Sequence, residues 1–155
     1  MRTARLLRLA RMAQAERQQA EQQWLEARRQ HEAAVWAWRR LEQERQNAAL
    51  TQQQQLAEGL RALQLAQWLS YRGALTVAAR SAAARRDQAA TAEQRAREVL
   101  WRRHREAKVL DKLIDRQRRQ ALRLAGRKQQ RVADELATLR FATQTFRQGE
   151  GGESL

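Results

Sequence analysis

No proline occurs in these 155 residues, and apolar or small residues recur in alternating steps of four and three through both ends of the chain. A spacing that averages 3.5 residues holds one narrow stripe of each helix against a partner, and it is the signature of left-handed supercoiling. In the first arm the stripe runs Leu6, Ala10, Ala13, Arg17, Ala20, Trp24, Ala27, His31, Ala34, Trp38, Leu41, Arg45, Ala48. In the second it runs Leu75, Ala79, Ala82, Arg86, Ala89, Glu93, Ala96, Leu100, Arg103, Ala107, Leu110, Ile114, Gln117, Ala121, Leu124. Hydrophobic residues make up 43% of the chain and many are alanine, which fills stripes better than a thick core.

These patterns predict an all-α chain: a long two-helix antiparallel coiled-coil hairpin with a short helical or irregular reversal segment. The expected single elongated unit covers residues 1–148. Its arms lie at about 3–50 and 75–147, about 70 Å and 105 Å long at the α-helical rise, with a reversal over 51–74 that holds Gly59 and Gly73. A uniform antiparallel register puts Ala34 near position 91 and Ala13 near position 112. The longer arm then overhangs the N-terminus. Gly59, Gly73 and the broken periodicity between the arms favour this hairpin over a parallel homodimer of continuous helices. After Leu124 the stripe resumes as Lys128, Val132, Leu136, Leu139, Thr143, Phe146, a stutter that coincides with Gly126 and predicts a bend or altered packing there. Residues 149–155 read as a disordered tail.

The 31 basic residues exceed the 17 acidic ones, for a net charge of +14, which suits an acidic protein surface, nucleic acid or anionic lipid. Between Arg85 and Arg131 there are sixteen basic and six acidic residues. This block reads either as a solvated exterior or as a docking surface for an acidic partner. Acid-first pairs four apart, Glu93 with Arg97, Glu98 with Arg102 and Asp115 with Arg119, add small local support to the helix. With no cysteine, disulfides and thiolate metal sites are excluded, and a reducing compartment is the natural reading. The apolar stretches fall far short of the roughly 20 residues a membrane span needs. Residues 1–15 are basic and acid-free, as in a mitochondrial presequence, but the heptad runs through them into the following helix.

Chemistry is sparse. His31 and His104 lack any metal-ligand spacing; His31 reads as a stripe residue and His104 as a solvated one. Asp111 and Asp115 share a face but lie among Lys112, Arg116, Arg118 and Arg119, so ion pairing accounts for them better than acid/base work. No glycine-rich phosphate loop or activated nucleophile is present. The expectation is a non-enzyme without cofactor or metal. Trp68, Tyr71, Leu75 and Ala78 share a helical face near the reversal. They either cap the hairpin core or form an exposed protein-binding cluster.

Three segments resemble the FliJ family of flagellar type III export proteins. They are Gln67-Trp68-Leu69-Ser70-Tyr71, similar to the family's tryptophan-x-x-tyrosine motif; Trp101 followed by Arg102 and Arg103; and Lys128-Gln129-Gln130-Arg131-Val132-Ala133-Asp134-Glu135-Leu136, similar to its C-terminal region. Where the family often carries an aromatic three residues after the tyrosine, Ala74 stands here. The resemblance implies a stalk that couples a hexameric export ATPase to the cytoplasmic domain of the export-gate membrane protein and assists export chaperones. Such a protein is cytoplasmic and peripherally associated with the inner membrane. It further implies that Trp68, Tyr71, Leu75 and Ala78 meet the gate, and that Arg5, Arg8, Arg11, Arg127, Lys128 and Arg131 meet the ATPase ring. The stalk of a virulence-type secretion system is the alternative, and a nucleic-acid-binding coiled coil a more distant one.

Overall fold

A computed structural model describes residues 2–150, the side chain of Glu150 excepted. Two helices account for nearly all of them: α1, Arg2–Glu58, and α2, Ala62–Glu150. Among the described residues there is no strand, and the helices contact one another as an all-α hairpin. Contacts group the chain into two compact units, one of Arg11–Ala107 and one of Met1–Ala10 with Lys108–Leu155.

The reversal lies within the Arg11–Ala107 unit and is shorter than the 51–74 segment expected, because most of that segment is itself helical. Only residues 59–61 leave the helix. Gly59 takes a left-handed backbone with φ 92° and its N–H donates to the Leu56 carbonyl, the glycine stop that any residue with a Cβ resists. On the far side the Arg61 N–H donates to the Gln64 side chain at 3.3 Å, while Leu65 N–H returns to the Arg61 carbonyl at 3.0 Å. That exchange is half of a capping box, with Arg61 as the cap. Gly73, the other candidate breaker, sits inside α2. Thr51 and Thr76 bond their hydroxyls back to the carbonyls of Asn47 and Arg72, so neither diverts the chain.

The burial pattern of this unit follows the predicted stripe. From Ala13 to Ala48 every stripe residue of α1 is buried or half-buried, and so is every one of α2 from Leu75 to Ala107. The core is thin: Ala13, Ala20, Ala48, Ala79, Ala82 and Ala107 are buried, with Leu75 the one large side chain among them. Small residues let the backbones approach closely, and each contributes only about one methyl of burial, on the order of 0.8 kcal/mol. Ala27, Ala34, Leu41, Ala89, Ala96 and Leu100 are half-buried, and several of the polar and aromatic stripe residues find partners across the seam. His31 Nδ1 donates to Glu93 at 2.5 Å, and Arg97 flanks the same carboxylate at 3.7 Å. The guanidinium of Arg86 lies 4.2 Å from the Trp38 ring centre, and those of Arg28 and Arg97 approach Trp24. Arginine stems and forks therefore line the wide holes that two tryptophans require. The seam also runs past Ala48 to Gln52, buried and accepting from Arg72 Nη1 at 2.6 Å.

The register is not uniform. Near the turn Trp38 faces Arg86, in line with Ala34 against position 91. Farther along, Arg17 meets His104 and Glu16 meets Arg103, about one helical turn short of the uniform register. His104, expected to be solvated, is half-buried as a result.

In the unit of Met1–Ala10 with Lys108–Leu155, Leu6, Ala10, Leu110 and Gln117 are half-buried and Ile114 is buried. Residues 118–149 of α2 are exposed throughout, including the stripe residues Ala121 and Leu124. Helix continues through Gly126 without a break; the stutter there meets no facing residue, so nothing forces a bend. The expected tail lies, for residues 151–155, outside the described residues.

Candidate functional site

The reversal supplies the first surface. The caps on either side of Gly59 bring the last turn of α1 beside the first turns of α2, leaving an open groove of ≈ 750 Å³ lined by Gln55, Glu58, Gly59, Leu60, Gln64, Gln67, Trp68 and Tyr71. Trp68 and Tyr71 lie edge to face with ring centroids 5.9 Å apart, a pair that fixes both rings. Trp68 is half-buried and Tyr71 is 48% exposed. Of the four residues expected to share a binding face, Ala78 is half-buried and Leu75 is only 7% exposed. Leu75 therefore belongs to the seam and supports the surface from beneath. Leu60 lines the groove, and Leu56, Leu63 and Leu69 near the turn are exposed as well. Trp68 is thus partly withdrawn into the hairpin end while Tyr71 faces out.

Lone exposed leucines are ordinary on any protein, and in the sequence these three carry no periodicity that marks them. What signals them is the position of Gly59: a tight turn leaves too little helix surface to cover the residues around it.

The second surface is basic. From Arg116 to Ala133 α2 carries seven basic residues and no acidic one, all seven of them exposed. Arg127, Lys128 and Arg131 lie in this stretch. Arg5 and Arg8 belong to the same compact unit and are exposed; Arg11, also exposed, begins the other unit. Asp111 and Asp115 are exposed as well.

A smaller hollow of ≈ 290 Å³ lies between Arg17, Glu21, Leu100, Trp101 and His104. Trp101 is 58% exposed and meets the His104 ring edge-on. Arg17 donates to His104 at 3.5 Å, and its own Nε is buried without a partner. Among the described residues no group of three or more His, Cys, Asp or Glu could hold a metal ion, and no helix is long and apolar enough to cross a membrane.

The family model of the flagellar FliJ protein matches residues 1–145, which takes in the turn, the aromatic pair and the basic stretch. The chain belongs to the FliJ family. As a FliJ-family protein it is a component of flagellar protein export, with a structural and export role. No curated protein and no solved structure matches the chain.

Proposed function

We propose that this FliJ-family chain is the stalk that couples the hexameric export ATPase to the cytoplasmic domain of the export-gate membrane protein. In this reading it works at the cytoplasmic face of the inner membrane, peripherally bound, and assists the handling of export chaperones. The observation that carries it is the segregation of two unlike surfaces: an acid-free basic helix over residues 116–133 and an apolar, aromatic surface at the reversal.

Each surface suits one partner. Arg127, Lys128 and Arg131, with Arg5, Arg8 and Arg11, present charge that an acidic pore of a ring attracts. Long exposed cations engage several subunits of a ring without a fixed register, so one asymmetric helix can bias nucleotide turnover in a symmetric ring. At the reversal, Trp68 and Tyr71 offer the large, rigid side chains that dominate interface energetics, held by Leu75 and Ala78 below.

The test is stimulation of the ATPase by the chain in which Arg127, Lys128 and Arg131 are all changed to glutamate. Because all three are exposed, helix content should be unchanged while stimulation is lost. Full stimulation by that variant would remove the ring assignment.

A further inference from the structure

Where α1 begins, the seam does not end. Ile114 is buried and Gln117 half-buried, and the same face of α2 then continues bare through Ala121, Ala125, Lys128, Val132, Leu136, Leu139, Thr143 and Phe146. Steps of three and four keep these residues in one stripe for a further three to four heptads. Val132 is 55%, Leu139 62% and Phe146 76% exposed. Arg116, Arg119, Arg123 and Arg127 fall on the opposite side of the helix and Arg131 on its flank, while Arg118 and Lys128 lie on the stripe side.

We infer that the occupant of this stripe is the same stripe of a second copy of the chain, running antiparallel about a two-fold axis at Val132. Size complementarity argues for it. With Val132 facing Val132 of the partner copy, Leu136 falls opposite Lys128, Leu139 opposite Ala125 and Thr143 opposite Ala121, so each large residue meets a small one or a flexible stem. Charge argues the same way. Glu135 comes beside Lys128 of the other copy, and the two-fold axis makes that pair twice. The acid-free half of each helix, +7 over residues 116–133, lies along residues 134–149, where Asp134 and Glu135 balance Arg140 and Arg147. A parallel pairing would set Lys128 against Lys128 and Phe146 against Phe146, and would stack +7 on +7. The stripe also continues an interface that the α1–α2 seam already forms, so the supercoil geometry needs no change. Lys128 is also one of the residues proposed to meet the ring, so the inference is tested by self-association of the chain alone, without the ATPase.

Sedimentation of the full-length chain over rising concentration tests it, together with disulfide trapping between single cysteines. The natural chain has none, so Ala125→Cys and Leu139→Cys variants report only their own contacts. The inference expects reversible dimers, with Leu136→Glu weakening association by about a hundredfold, more than 2 kcal/mol on the usual conversion. Mixed Ala125→Cys and Leu139→Cys chains should trap as the heterodimer in preference to either homodimer. Glu135→Lys should weaken the dimer and Lys128→Glu added to it should restore association, a rescue that a folding defect would not produce. A chain that stays monomeric at about 100 µM, a concentration at which even weak micromolar pairing shows, would overturn the proposal. So would dimers indifferent to Leu136→Glu, or preferential trapping of the Ala125→Cys homodimer.

Discussion

Single residues decide how this hairpin tolerates polar groups in its seam. His31 and Glu93 form a close cross-helix contact, with side chains 29% and 14% exposed, and the Arg97 guanidinium flanks the same carboxylate. Partial burial reduces competition from water, so the pair should be worth more than an exposed one. A double-mutant cycle on His31 and Glu93, followed by urea unfolding, is expected to give a coupling of about 1 kcal/mol. The same cycle on Arg28 and Glu32, more than half exposed within one helix, should give no more than a few tenths. Placement of His31 on the stripe was legible from its spacing. Its partner was not, because spacing states which residues face inward and says nothing of which side chains reach one another. The same limit explains His104, whose burial follows from a drift in register that no local pattern encodes, and Leu75, whose place under the aromatic surface depends on how far α2 reaches toward the turn.

At the scale of elements, the two helices were legible almost entirely and the turn only in part. Heptad spacing named the buried residues from Ala13 to Ala48 and from Leu75 to Ala107. The turn stayed ambiguous because Gly59 and Gly73 are equal as letters, and only the backbone separates them. Gly59 has φ 92°, whereas Gly73 and Gly126 are helical with open space where a Cβ would stand. Substitution by alanine should therefore act in opposite directions. Gly59→Ala is expected to cost about 1 kcal/mol through left-handed strain, and Gly73→Ala and Gly126→Ala each to add about 0.5–1 kcal/mol of helix stability. Thermal unfolding monitored by circular dichroism checks all three. Intramolecular pairing of the arms has its own test in spin labels at Glu32→Cys and Gln94→Cys, both exposed and each one residue past the His31–Glu93 contact. With helix axes about 8–10 Å apart, labels on one chain should lie about 20–25 Å apart even when diluted with unlabelled protein. A continuous helix would separate positions 62 residues apart by about 93 Å.

Across the whole molecule, the proposed function rests on two kinds of surface. Net charge alone, +14, suits several partners, and the exposure of all seven cations between Arg116 and Ala133 gives that charge a location. Basic composition was plain in the sequence. That this stretch stands exposed, while the basic run around Arg103 shares the seam, is visible only in the structure. The aromatic motif was legible too, but the groove beside it arises only through the turn at Gly59. The central claim is that the two surfaces hold two partners independently. The direct measurement is size-exclusion chromatography of the chain with the export ATPase and the gate's cytoplasmic domain together. A ternary complex is expected, with Trp68→Ala/Tyr71→Ala losing only the gate domain and the triple glutamate variant at Arg127, Lys128 and Arg131 losing only the ATPase. Competition between the two partners, or one variant releasing both, would contradict it.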